Sequence, residues 1–309
     1  IEGGLEFSNL PTVKNQIQIM DSEIRMNRDN FYAVEAENTH FSKRVFFLKT
    51  VFSGKADFAG ATFDEEAVFL GATFRGQTYF SFTTFHKFVS FLAAVFENRL
   101  MLRLIDVIVF FFFWDVIIGQ LDFDSAESRT VVAGRIDFRR AIVSEAHFQD
   151  IIFEKDVDFS DAIFVKTVFR DLIFEKNAYF LRTKFRLQTA IENVRFKQDA
   201  DFREAHLESN QKFLISYVLF NTLKIKWSQL PALSTWVNDS EDSVKSFLDI
   251  EREGLKKIDT EEMRVKIGGV ERLSEVVLGL EEVFRRDNAL NDANAAYYSI
   301  KTLELKQSR

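Results

Sequence analysis

Large apolar residues recur along the chain at alternating steps of six and five: Phe52, Phe58, Phe63, Phe69, Phe74, Phe80, Phe85, Phe91 and Phe96. Two positions before each stands a small or β-branched residue, namely Thr50, Ala56, Ala61, Ala67, Ala72, Thr78, Thr83, Val89 and Ala94. A helix returns to one face about every 3.6 residues and a strand every two, so side chains spaced by five would spiral around either. The period fits a coil in which each unit of about five residues makes one straight edge and one corner, with four edges closing a square. Each edge then sends one large and one small side chain inward, which fills a narrow shaft without voids. Coils stacked roughly 4.8 Å apart pair the backbone of every edge with the coils above and below.

A second array runs Phe138, Val143, Phe148, Phe153, Phe159, Phe164, Phe169, Phe174, Phe180, Phe185, Ile191, Phe196, Phe202, Leu207 and Phe213, with coils of 21 to 22 residues. Between the arrays, residues 124 to 135 place no large residue in phase and are expected to form a protruding loop or a poorly packed coil. Segments such as "ADFAGATF" (56 to 63), "AVFLGATF" (67 to 74) and "VDFSDAIF" (157 to 164) resemble the pentapeptide-repeat proteins, in particular their Phe-rich bacterial branch. The resemblance spans roughly residues 41 to 215. It implies a mainly β fold, a right-handed quadrilateral β-helix, and is weakly informative about function, because the family hosts very different roles.

The segment "LIDVIVFFFFWDVIIG" (104 to 119) looks like a membrane span. Asp106 and Asp115 leave only eight uncharged residues between them, against about 20 needed for a spanning helix. The repeat phase also runs through it: Leu102, Val107, Phe113, Ile118 and Phe123 fall in the large slots, and Leu100, Ile105, Phe111, Val116 and Leu121 in the small ones. A coil is therefore expected. In that phase Ile108, Val109, Phe110, Phe112, Trp114 and Ile117 cannot all point inward. Such an outward cluster marks a homodimer contact, a surface for an unknown protein partner, or a patch covered by the N-terminal 40 residues or the C-terminal tail.

Residues just before the central positions are expected to face outward in rows one coil apart. One row reads Asp137, Asp158, Tyr179 and Asp201; its neighbour reads Ile142, Ile163, Lys184 and His206. His147 aligns with Val168, and Ile152 with Ile173. The β-branched members suit the outside of a flat sheet and are further interface candidates. The Asp row reads alternatively as an acidic stripe resembling DNA phosphates.

With 309 residues and a net charge of −7, the chain lacks the basic footprint that nucleic-acid binding requires. Zero Cys excludes disulfides and thiol catalysis. The four His lie far apart along the solenoid without metal-ligand spacing, and the carboxylates are ordinary surface groups, so no enzyme, metal or cofactor is expected. Two Pro and 12 Gly are few for so many corners. The start at Ile1 suggests a processed or truncated chain, and no signal peptide is visible.

Three regions follow: an N-terminal cap with irregular first coils (1 to 40), the β-helix (41 to 227) and a C-terminal α-helical region (228 to 309). Short strands are expected in "QIQIM" (16 to 20) and "EIRM" (23 to 26), a last irregular coil in 213 to 227 closed by Pro231, and a helix over 242 to 257. Val270, Leu273, Val276 or Val277, Leu280 and Phe284 share one helical face, and Ala293, Ala296, Tyr297, Ile300 and Leu303 a second, which predicts a helical hairpin. Leu280, Glu281, Phe284, Arg285, Asp292, Ala293, Tyr297, Tyr298 and Lys301 resemble a segment that, in some bacterial pentapeptide-repeat proteins, lies between the β-helix and a membrane ion-channel module.

The expected function is a non-enzymatic scaffold or protein-interaction module, linked by that resemblance to a membrane protein and placed in the cytoplasm or at a membrane. The alternative is a DNA-mimicking protein that inhibits or protects DNA gyrase or topoisomerase, as gyrase-binding family members do. Direct nucleic-acid binding is not expected.

Overall fold

The computed structural model describes residues 1–7, 12–26, 31–103, 105–107, 110–124, 129–207, 212–230, 278, 280–286 and 288–307. They form a β-solenoid of about eight turns followed by two helices that pack together. Every strand ladder among them is parallel, and four repeat along the axis. Phe41 aligns with Phe63 and Phe85; Val45 with Ala67, Val89 and Phe111; Phe52 with Phe74, Phe96 and Ile118; and Ala56 with Thr78, Leu100 and Leu121. Four ladders make four walls, so the expected square cross-section is observed. The expected inward residues of 102 to 123 are buried where their side chains are described, so that segment is a coil and not a span. Among the described residues no helix is long and apolar enough to cross a membrane.

The interior is built from stacked rings. One column is aromatic over eight coils, from Phe47 through Phe69, Phe91, Phe113, Phe138, Phe159 and Phe180 to Phe202, with centroids 4.3 to 5.6 Å apart. In the other three columns the rings give way to Leu102, Val107 and Ile118 in the same coil. Phe111 restores the volume there. It occupies a slot that Val45, Ala67 and Val89 fill elsewhere, is fully buried, and lies 4.4 Å from Phe113 and 5.9 Å from Phe85.

The alternation of five and six has a backbone cause. Inside most five-residue steps sits a residue in the left-handed region: Gly60, Gly71, Phe82, Ala93 and Asp115, then Arg140, Asp150, Asp161, Asp171, Arg182, Asn193 and Glu204. The steps from Ile118 to Phe123, Val143 to Phe148 and Phe164 to Phe169 instead run on as continuous strand. At the left-handed corners the chain folds back on itself. The amide of the following residue donates to the carbonyl three positions back, as from Ala61 to Phe58 at 3.0 Å and from Ala94 to Phe91 at 2.9 Å. These are tight turns with positive φ at their third residue. Few glycines suffice because most corners use other residues in that conformation.

The linker between the arrays is partly packed. Phe110–Phe112 pairs with Arg135–Asp137, so this coil is 25 residues long, and Thr130–Val132 rejoins the wall beside Ile151–Phe153. The strands expected near the N-terminus are Ile17–Met20 and Glu23–Ile24, which form the first coil under Val45–Leu48 and Val51–Phe52. At the other end Lys212–Lys224 continues the wall of Lys184–Asp201. Pro231 and the helix expected over 242 to 257 lie outside the described residues.

The helical pair comprises α1, over 280–286, and α2, Leu290–Gln307. Leu280, Val283 and Phe284 of α1 and Ala293, Ala296 and Ile300 of α2 are buried in the common core. Tyr297, expected on that face, is instead 38% exposed; the interhelical seam is narrower than the sequence pattern implies. Arg286 Nη2 donates to the Phe220 carbonyl of the last coil at 3.5 Å.

Candidate interaction surface

The outward cluster is real where the structure describes it. Phe110, Trp114 and Ile117 are exposed and Phe112 is half-buried; Ile108 and Val109 lie outside the described residues. Phe110 stacks on Phe112 at 5.5 Å, Phe88 meets Phe112 edge-on, and the Arg139 guanidinium lies 4.8 Å from the Trp114 ring centroid. The described N-terminal residues form the first coil, and α1 and α2 contact the last one, so none of the described residues of either segment covers this cluster.

The cluster belongs to a longer feature that the sequence reading missed. Backbone pairing sets Met20, Leu48, Leu70, Leu92 and Trp114 in one row across five coils, each one residue past the inward central position. Beside it runs Phe46, Val68, Ser90 and Phe112. Together they form an apolar strip along the first array. The signal was present as an apolar residue directly after successive central positions. It was overlooked because corner residues do not follow strand alternation.

The second-array rows fall in the expected register: Asp137, Asp158, Tyr179 and Asp201 align, as do Ile142, Ile163, Lys184 and His206. His147 meets Val168 and Ile152 meets Ile173. Ile142 is exposed, whereas Ile152, Ile163, Val168 and Ile173 are half-buried. The three Asp do not face solvent as expected. All are buried, and Oδ1 of each accepts the backbone N–H two residues on, at 3.0 Å from Arg139, 2.9 Å from Ser160 and 3.1 Å from Arg203. They close the corners as Asx turns, and Arg139 and Arg203 cover two of them at 2.6 Å. Burial pushes the Asp201 carboxyl up, but hydrogen bonds from the Arg203 guanidinium and backbone outweigh this and hold it below the usual range. An acidic, DNA-like stripe is therefore not presented by these residues.

The histidines are less scattered than the sequence suggests. His40 Nε2 and His86 Nδ1 flank Asp64 at 2.7 and 3.2 Å, and His147 lies 3.1 Å from the buried Asp122. Among the described residues no cluster of three His, Asp or Glu could hold a metal ion. Lys55, beside Asp57 and Tyr32, has a raised pKa: burial lowers it, but those hydrogen bonds prevail. A lysine held charged in this way is a poor nucleophile or base at neutral pH.

On the helical pair, Leu280, Phe284 and Ala293 are core residues and Glu281 pairs with Arg285 at 2.7 Å. Asp292 is half-buried, Tyr298 is 67% exposed, and Lys301 lies 5.9 Å from the Tyr297 ring centroid.

The four parallel walls and stacked rings define a quadrilateral β-solenoid. A family model described as pentapeptide repeats (9 copies) matches residues 36–84, and the same coils continue beyond it, which together support a pentapeptide-repeat protein. Neither a curated protein nor a solved structure matches the chain significantly. Solenoids of this family are generally non-enzymatic, and the fold is consistent with a protein-interaction scaffold.

Proposed function

We propose that the protein is a non-enzymatic scaffold that binds another protein molecule through the apolar strip of its first array. The observation that carries this reading is the exposure of Phe110 and Trp114 on the apolar strip, with Ile117 exposed just across the Asp115 corner, since patches of this kind mark contact surfaces. The buried corner carboxylates weigh against the gyrase-directed alternative. Exposed Tyr297 and Tyr298 on α2 support a second contact, which suits an accessory role beside a membrane protein as the hairpin motif implies.

Replacing Phe112 and Trp114 together by Ser should leave the β-type circular dichroism unchanged. In light scattering and tagged co-purification the wild type should show a higher-mass species that this variant lacks. A folded variant that keeps those species rejects the strip as the contact.

A further inference from the structure

We infer that the occupant of the strip is a second copy of this chain, packed antiparallel with the two-fold axis passing between the Leu70 and Leu92 coils. This deepens, and rests on, the reading of the strip as an interaction surface. The assignment comes from the corner residues beside the apolar row. On six successive coils the left-handed corner position holds Asp21, Lys49, Gly71, Ala93, Asp115 and Arg140. Their charges run negative, positive, neutral, neutral, negative, positive.

Turned end over end, that series is its own electrostatic complement. Asp21 meets Arg140 of the second copy, Lys49 meets Asp115, and Gly71 meets Ala93, each contact occurring twice by symmetry. The same register sets Leu70 against Leu92, Leu48 against Trp114 and Phe46 against Phe112. Moving the axis by half a coil spacing opposes Asp21 to Asp115 in one direction and Lys49 to Arg140 in the other. Parallel packing along this corner sets every charge against itself. One register therefore satisfies the charges and the four central apolar positions, with Met20 set against Arg139 at either end. Six coils at about 4.8 Å span under about 30 Å, and a strip this narrow buries less than the roughly 800 Å² per partner of a standard interface. The dimer is accordingly weak and concentration-dependent.

Sedimentation equilibrium tests the pairing. Lys49→Glu and Asp115→Lys should each raise the dissociation constant about tenfold, because each reverses two contacts. An equimolar mixture of the two should recover wild-type affinity, since both contacts are restored in the mixed dimer. Because Asp115 also contacts Arg140 at 2.8 Å within the chain, a second measurement avoids that residue. The chain has no cysteine, so Leu48→Cys and Trp114→Cys introduce unique thiols. A short bis-maleimide should link the mixture several-fold better than either variant alone.

A monomer at every concentration, or mixtures no better than their components in both measurements, overturns the dimer as drawn. If association is lost with Phe112→Ser/Trp114→Ser yet indifferent to both mixtures, this register fails while the broader reading of the strip survives.

Discussion

In the first array, Phe41, Phe63 and Phe85 stack at 4.8 and 5.0 Å, and Phe52, Phe74 and Phe96 at 4.5 and 4.6 Å. In the second, the latter column continues as Ile118, Val143, Phe164 and Phe185, whose one ring pair is 5.9 Å apart. The outsides differ more. Where the first array carries Leu48, Leu70, Leu92 and Trp114, the second carries Arg139, Ser160, Leu181 and Arg203, with one apolar residue among four, and its corner row is tied by Asp161 and Arg182 at 2.7 Å. A shared interior specifies the solenoid in both halves. The exterior is free to differ, so one half exposes an apolar row while the other exposes a mostly polar one.

The interior half of this comparison breaks most readily at Phe91. Its ring stacks between Phe69 and Phe113 and meets Phe80 and Phe96 edge-on. Phe91→Ala should cost about 4 kcal/mol, in the range for large-to-small core changes. Ile191→Val, at a buried aliphatic slot of the second array, should cost about 1 kcal/mol. Denaturant titrations give both numbers, and equal losses would mean that the two arrays depend on ring stacking alike.

Acid should weaken the ion pairs of the second array next, as it should those of Asp64 and Glu66 in the first. The native Asp201 carboxyl is held below its unfolded range by Arg203, and Asp161 by its hydrogen bond to Arg182. Groups with depressed native values stabilise the fold above the unfolded value, near pH 4, and lose that contribution as pH falls through the native one. Fluorescence melts from pH 5 to pH 2 should therefore show a decline in the wild type that is reduced in Asp201→Asn. An unchanged acid profile in that variant would remove Asp201 from the account.

Much of the fold was legible because inward side chains obey the coil period: the phase through 102 to 123, the aligned rows and the helical pair all follow from spacing. What was not legible depends on corners. Asp137 and Asp201 occupy outward positions, yet the adjacent turn amide draws their carboxylates in, which no periodicity reveals. Phe111 sits in a small slot because neighbouring columns lost volume in the same coil, a relation visible only once the columns are aligned. Leu48, Leu70 and Leu92 became a row only with the register known.

Corner strain offers the smallest and cleanest contrast. Phe82 holds a φ of 59° while 59% exposed, so its ring gains little from burial and its backbone carries the left-handed penalty of about 1 to 2 kcal/mol. Phe82→Gly removes that penalty but adds unfolded-chain entropy, leaving a net stabilisation of about 0.5 to 1 kcal/mol. Arg182 has a nearly equal φ of 55°, but its guanidinium donates to both Asp161 oxygens at 2.7 Å. Arg182→Gly relieves the same strain and forfeits this contact, so its thermal shift should be the smaller of the two. A larger gain at Arg182 than at Phe82 would show that the ladder of charges contributes nothing to holding the second array together.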